Sequence, residues 1–504
     1  MGWVLVIEEN QSTVEEIKDA IAQFDQKAAL VHFPNSQSFL DWMDKLQKHE
    51  PNLDPPVPAD KFLGLITAIE SWKFRDVKLI GKFKALFIQK GFAQTEDEIF
   101  TIFTAYETAD FQKRRFEYRS VNNLIFKPFD KLVLQQLLEI AFGGRQPVKN
   151  HLTHSLKTES EVEMLKEIRL NGVSEIGFQT ISNQLLEPGA IAKYYADFLE
   201  TRHHRSALAK VLSCTAQPTA GLYDIELRFY ALDQYQSFAI QKLAQAEKTH
   251  RPIAGRAAAA EAFEFYLVKK DGSPLASELA PSLERFFEHP VHLVDSLHDL
   301  NTALAAHNLA ANPLIKRRFV FIDQAHIAGN EKGEIESLTK THSTQALSCF
   351  SLSPRIYSEP LELELSQVCE DIFYAPFNKS YIIKTLKKRY PELATKEDIF
   401  EYHHLTDQVV HVSNPVKVVE VSETELIIEY HREIHLGSFR EFHFRMPNEL
   451  EVPTIIAQCN FTKPSEKKGI FHCHFIFFGM RDYELKFVRR WMLTQYVETK
   501  QKDG

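Results

Sequence analysis

The chain has 504 residues, enough for roughly three to four domains of ordinary size. Hydrophobic residues make up 44% and charged residues 25%, so a buried core needs no disulfide or metal staple. A net charge of −9 excludes a nucleic-acid protein that works by bulk phosphate neutralisation, while leaving room for a local anion site.

Met1 to Glu9 is a short apolar run that meets two acids, without the basic start and longer apolar core of an export signal. Within it, Val4-Leu5-Val6-Ile7 reads as a buried parallel strand, followed by Glu8, Glu9 and Asn10. From Ser12 to Phe24, Val14, Ile17, Ile21 and Phe24 fall on one helical face. Leu63 to Ile69, Ile99 to Ala105 and Leu124-Ile125-Phe126 are further strand candidates, the last meeting Lys127-Pro128 and a leucine-rich helix. Strands alternating with helices imply a parallel sheet covered on both faces.

From about Ser155 the pattern changes to short alternating segments punctuated by Gly172, Gly177, Pro188-Gly189 and Ala220-Gly221. Asp224 to Tyr230 places Ile225, Leu227 and Phe229 on one face, the pattern of a small antiparallel sheet or barrel. Phe238 to Ala246 reads as a closing helix, and the Ala-, Lys- and Arg-rich stretch Ala244 to Ala260 as a helical linker.

The order of elements then starts again. Phe263 to Val268, Arg318 to Ile322, Ala346 to Leu352 and Cys369 to Tyr374 are strand candidates, with a helix from Lys379. Short alternating strands return from Val409, ending with Phe471 to Phe478 and an amphipathic helix over Tyr483 to Tyr496. Pro128 and Pro376, like Ser174 and Ser422, lie 248 residues apart, and Phe103 and Phe350 lie 247 apart. A nearly constant offset across the chain predicts an internal duplication. The five cysteines are scattered and form no CxxC pair, which fits reduced thiols in the cytoplasm. No apolar stretch is long enough to span a membrane as a helix.

With these motifs the first unit, residues 1–145, resembles a response-regulator receiver domain. Glu8 and Glu9 stand where that family keeps its metal-binding acid pair, Thr104 matches its hydroxyl position, and Lys127-Pro128 matches its lysine. The resemblance implies a flavodoxin-like fold with a five-stranded parallel sheet. It also implies a site where a metal, a lysine and a hydroxyl meet an acceptor aspartate. The third strand here ends without an aspartate; Glu70 is read as a solvated loop acid, with a permanent charge mimic as its alternative. The second unit, 261–392, has the opposite pattern. Asp323 is phosphoacceptor-like and Ser351 sits at the hydroxyl position, but Lys269-Lys270 replace the acid pair and Ala375 replaces the lysine. Two ammonium groups repel a divalent cation, so neither unit is expected to be phosphorylated.

Segments 150–245 and 400–498 resemble PilZ domains, small β-barrels many of which bind cyclic di-GMP through an RxxxR pair and a (D/N)xSxxG motif. In the first copy Ser174 and Gly177 fit, Gly172 replaces the acid or amide, and Arg145 with Lys149 gives at most a weakened arginine pair, a solvated linker being the favoured reading of those two residues. Arg115 and Arg119 have the spacing but fall inside the receiver-like unit. In the second copy Ser422 survives, while Glu420, Glu423 and Glu425 repel a dianionic dinucleotide. His472 and His474 share a strand face, for which paired surface histidines are the default over a metal site. No Walker loop, GxSxG elbow or HExxH motif occurs.

The expectation is a multidomain α/β-plus-β chain, two receiver-like domains alternating with two PilZ-like barrels. Its function reads as a non-catalytic, cytoplasmic bacterial signalling regulator or scaffold in the two-component class. Catalytic residues, metal and cofactor are all expected to be absent, and the partners are expected to be proteins, a homodimer included, with neither nucleic acid nor a membrane span. The alternative is a switch responding to cyclic di-GMP or to phosphorylation.

Overall fold

The computed structural model describes residues 2–24, 28–71, 79–107, 121–142, 155–182, 185–199, 206–219, 221–245, 249–253, 262–269, 275–309, 315–323, 331–342, 346–393, 399–405, 408–446 and 452–503. The chain forms two compact units: Met1–Leu165 with Pro415–Gly504, and Lys166–Asn414. Segments 150–245 and 400–498 therefore each contribute to both units, the chain crossing within one long strand and returning within another.

In the first unit, β1 (Gly2–Ile7), β2 (Ala29–Phe33), β3 (Lys61–Ala68), β4 (Phe100–Tyr106) and β5 (Asn123–Lys127) form a parallel sheet in the order β2-β1-β3-β4-β5. This is the flavodoxin-like order, with its reversal between β1 and β3. All six residues of β1 are buried, because helices cover both faces. Trp3, Leu5 and Ile7 pack with Phe39 and Trp42 of α2 (Ser36–Gln47) and Phe83 and Phe87 of α3 (Leu79–Gln89). Val4 and Val6 pack with Ile17 and Ile21 of α1 (Gln11–Phe24) and Leu134 and Leu138 of α4 (Lys131–Phe142). Period-2 alternation thus feeds two cores from one apolar run. Asn35 starts α2 by accepting a hydrogen bond from the Ser38 N–H at 2.9 Å.

The second unit repeats this sheet. Its strands β13 (Ala262–Val268), β14 (Val291–Val294), β15 (Ile315–Asp323), β16 (Leu347–Ser353) and β17 (Asp371–Tyr374) take the order β14-β13-β15-β16-β17. The stacked rings of Phe321, Phe350 and Phe373 lie in its core beside Phe319.

Each unit adds an antiparallel module. In the second unit, β7 (Glu161–Ser174), β8 (Gly177–Ser182), β11 (Tyr223–Tyr230), β10 (Ser206–Ala216) and β9 (Ile191–Tyr195) pair in that order, and β9 pairs with the start of β19 (Val409–Val421). In the first unit, β19, β20 (Glu425–Tyr430), β23 (Phe471–Phe477), β22 (Thr454–Pro464) and β21 (Phe439–His443) pair likewise, and β21 pairs with the start of β7. The strands β8, β9 and β10 start 248 residues before β20, β21 and β22, as do α4 before α10 (Lys379–Arg389) and α5 (Gln234–Gln245) before α11 (Asp482–Asp503). The duplication is therefore visible element by element, with each module taking one strand portion from the other half of the chain.

The linker expected to be helical over Ala244 to Ala260 is corrected. The described helix runs to Gln245, and Thr249–Pro252 forms β12, which pairs antiparallel with β18 (Phe400–Leu405); residues 246–248 and 254–260 lie outside the described residues. Backbone pairing with a waiting strand outweighs local helix propensity there.

Gly177 is required by close packing. A Cβ at this position would stand 2.0 Å from the Leu227 carbonyl oxygen. Gly177→Ala is expected to destabilise the second unit by about 1–3 kcal/mol, the usual range for overpacking. Hydrogen exchange of β8 and β11 reads this out, and protection equal to wild type would show that the strands separate without cost.

Candidate functional site

The carboxyl ends of parallel strands bring the polar side chains of the first unit together. Glu8 follows β1 and is buried; its Oε1 accepts the Asn10 N–H at 3.0 Å, and its carbonyl accepts from His32 Nε2 at 2.8 Å. Lys127 ends β5, and its Nζ lies 3.1 Å from Glu8 Oε2 and 3.1 Å from Glu70 Oε2. Glu70 is therefore not a free loop acid: it also accepts the Tyr106 N–H at 2.7 Å, and the Tyr106 ring lies 4.4 Å from the same ammonium. Glu9 is exposed, and the buried Thr104 hydroxyl has no hydrogen-bond partner among the described residues. One ammonium thus sits between two carboxylates. A divalent cation seeking Glu8 would have to displace the lysine, and a phosphate seeking Lys127 would have to displace a carboxylate.

In the second unit Asp323 ends β15 and is fully buried. Ser351 is buried on β16, its Oγ 3.4 Å from the Tyr357 hydroxyl. The Tyr357 N–H donates to the Tyr374 hydroxyl at 3.3 Å, which donates to Glu362 at 2.5 Å. Burial pushes the Glu362 carboxyl up to about 7, against the lowering effect of the Tyr374 hydrogen bond. Lys269 Nζ lies 3.1 Å from Asp295, which neutralises it. Lys270 and Asp271 lie outside the described residues, and Ala375 supplies no ammonium at the end of β17.

The residues expected to form a dinucleotide site divide similarly. Arg145 and Lys149 lie outside the described residues, as do Arg115 and Arg119. Ser174 closes the β7–β8 turn: its Oγ accepts the Gly177 N–H and donates to the Gly177 carbonyl, both at 3.1 Å. A small pocket beside this turn is lined by Glu226, Arg228, Lys388 and Glu401. Lys388 Nζ is 2.9 Å from both Glu226 and Glu401, so its charge is already matched. Burial works to raise the Glu401 carboxyl, but hydrogen bonds from His403 and the charge of Lys388 prevail and hold it at about 2. The sequence reading passed over this Glu401–His403 pair. Its signal was the two-residue spacing on a strand, which puts both side chains on one face.

In the copy 248 residues later, Ser422 Oγ accepts the N–H groups of Thr424 at 3.2 Å and Glu425 at 3.0 Å. Glu425 stands where Gly177 stands in the first copy, and burial, with Glu420 nearby, pushes its carboxyl up to about 7. His474 is buried and held down to about 4 by burial and by Lys463, while His472 is 3.9 Å from Glu429. Among the described residues no group of three or more metal-ligand side chains gathers.

No family model matches the sequence, and no curated protein matches it. Solved structures do. A pilus assembly-related protein from Burkholderia pseudomallei is 16% identical over 28% of this chain and 99% of its own, with a TM-score of 0.23. The receiver domain of a DNA-binding response regulator from Colwellia psychrerythraea is 16% identical over 25% of this chain and 97% of its own, at 0.21. A response regulator in red light signalling of R. palustris is 16% identical over 28% and 93%, at 0.20. The likenesses are low and partial.

Two outcomes are expected. Lys127→Met leaves Glu8 buried without its counter-ion and lowers stability by about 3 kcal/mol, whereas Glu70→Gln, at a carboxylate 43% exposed, costs under about 1 kcal/mol. Urea unfolding of the two variants measures the difference, and equal losses would contradict this geometry. For Glu425, an ordinary carboxyl near 4.5 ionises in the unfolded chain before the folded one does at about 7. Its contribution is therefore whole below about pH 4.5 and is lost as pH rises to about 7. Glu425→Gln removes that loss and stabilises the protein by on the order of 2 kcal/mol at pH 8, with little change at pH 4.5. Thermal unfolding at the two pH values checks this, and an equal effect at both would refute it.

Proposed function

We propose that the protein is a non-catalytic bacterial signalling regulator or scaffold of the cytoplasm whose receiver-like and PilZ-like modules act through contacts with other proteins. The observation that carries the reading is Lys127 Nζ, 3.1 Å from each of two carboxylates of its own chain. In phosphoryl transfer such an ammonium balances incoming phosphate charge, and here that charge is supplied from within. The reading is supported on the other sheet by Ala375 at the lysine position and by Lys269 paired to Asp295. It is supported in the antiparallel modules by Lys388, matched by two glutamates beside Ser174, and by the acids that flank Ser422. With its cations matched internally, the chain offers a dinucleotide or phosphoryl group little net attraction.

A switch responding to phosphorylation rests on Asp323, which ends β15 beside Ser351 in the neighbouring strand. Full burial of that carboxylate weighs against in-line attack on a small phosphodonor.

Incubation of the full chain with acetyl phosphate and magnesium, followed by intact mass measurement, is expected to give no phosphoryl adduct. Calorimetry with cyclic di-GMP is expected to give no heat of binding. An adduct abolished by Asp323→Asn, or saturable binding of the dinucleotide, would overturn the proposal.

A further inference from the structure

Where the two copies meet their parallel sheets, equivalent positions carry different chemistry. In the second unit Arg228 on β11 is 1% exposed. Its Nη2 donates to the Glu370 carbonyl at 2.6 Å, and its Nη1 lies 3.7 Å from Asp371 Oδ2. Asp371 opens β17 and is fully buried; its Oδ1 accepts the N–H groups of Ala231 and Ile372, both at 2.9 Å. Lys210 Nζ on β10 lies 3.8 Å from the Glu370 carboxylate, to which Arg389 is also paired. The contact between this antiparallel module and this sheet is thus organised by charges removed from water.

At the positions 248 residues away, the first unit has Ile476 for Arg228, Asn123 for Asp371, Gln458 for Lys210 and Asn122 for Glu370. Ile476 is buried in the apolar core with Ile125, Leu134 and Leu138. Asn123 donates to the Phe477 carbonyl at 3.1 Å and accepts the Leu124 N–H at 2.7 Å. The backbone is nevertheless shared: Ala231 and Gly479, also 248 apart, have φ of 55° and 60°. The same docking geometry is kept with a charged pair in one unit and a neutral pair in the other. The flanking carboxylate is kept but changes partner: Glu175 pairs with Lys384 in the second unit, while its equivalent Glu423 pairs with Arg489, which also meets Asp130, in the first; Asp130→Cys, common to both reporters used below, removes the Asp130–Arg489 contact from every chain compared.

We infer that Arg228 and Asp371 are specificity-determining residues for an internal interface: they decide which antiparallel module each parallel sheet accepts. Each unit combines a sheet from one half of the chain with most of a module from the other half. In the alternative pairing, within halves, Arg228 would face Asn123 and Asp371 would face Ile476. Each exchange leaves one buried charge without its opposite, a far larger cost than the matched pair carries. Neutral partners at all four positions would permit either pairing, and one ion pair is enough to exclude the wrong one.

The test uses the full chain refolded from denaturant, with a cysteine pair read by a short bis-maleimide and the exposed part of the background removed by Cys214→Ser. Asp130→Cys with Arg489→Cys reports the observed pairing, because those side chains meet at 2.8 Å. Asp130→Cys with Gln241→Cys, the position 248 before Arg489, reports the alternative. In the otherwise unchanged chain, 130–489 links are expected to exceed 130–241 links at least tenfold. Arg228→Ile or Asp371→Asn alone is expected to lower the yield of refolded protein. The double variant, which copies the pair of the first unit, is expected to recover that yield but to raise the 130–241 link to a comparable level. Moving the arginine, Arg228→Ile with Ile476→Arg and Asp371 left in place, is expected to make the 130–241 link dominant. A double variant that refolds with the 130–489 link alone, or a moved arginine without effect on the ratio, would overturn the inference. The double variant keeps the test decisive if the single ones fail to fold.

Discussion

A charge taken out of water has to meet its opposite nearby, and this constraint organises the protein at each place where a sheet carries polar groups inward. Lys127 is held between Glu8 and Glu70, Lys388 between Glu226 and Glu401, and Arg228 against Asp371. Matched pairs of this kind add little stability over apolar replacements, since Coulomb attraction mainly offsets desolvation. Their consequence is selectivity. A site whose cation is already engaged discriminates against an external anion, and an interface with one buried pair discriminates against a surface that lacks the partner.

The inner strands of the parallel sheets were legible in the sequence because they are buried on both faces, whereas the half-exposed edge strands β2 and β14 gave no continuous apolar run. Val4-Leu5-Val6-Ile7 and Phe319-Val320-Phe321-Ile322 are continuous apolar runs, and the residues beyond them are polar in a sheet that gathers such residues at one end. The repeat was legible because insertions fall between the early strands, leaving the offset constant from β4 onward to within a residue. What the sequence did not disclose is assignment between equivalent parts. Two copies of one pattern carry no local signal for which sheet packs with which module, or for where β7 and β19 pass from one unit to the other. β12 was missed for a related reason: its strand form depends on β18, about 150 residues away, while its neighbours favour helix.

Glu70 shows why the site was less legible than the fold. Read alone it is an acid beyond the end of a strand, and most such residues are solvated. Its role appears only when β5 brings Lys127 beside β3 across the intervening β4, and when the Tyr106 N–H fixes one carboxylate oxygen so that the other turns toward the ammonium. The identity of the residue permits the contact, while the strand order creates it.

The two sheets carry opposite charges at the ends of their strands, and the electrostatics gives this a coherent sense. The first sheet has Lys127 at the end of β5 and no aspartate at the end of β3; the second has Asp323 at the end of β15 and Ala375 just after β17. A lone buried lysine is as costly as a lone buried aspartate, so each group needs a partner. The first sheet recruits Glu70 for Lys127. In the second, Asp323 is buried at the end of β15, and Ser351, Tyr357, Tyr374 and Glu362 form a separate hydrogen-bonded chain in which burial raises the affinity of Glu362 for its proton. A buried charge at a strand end therefore sets a requirement for internal compensation. In the first sheet Glu8 and Glu70 meet that requirement for Lys127, each 3.1 Å from its ammonium.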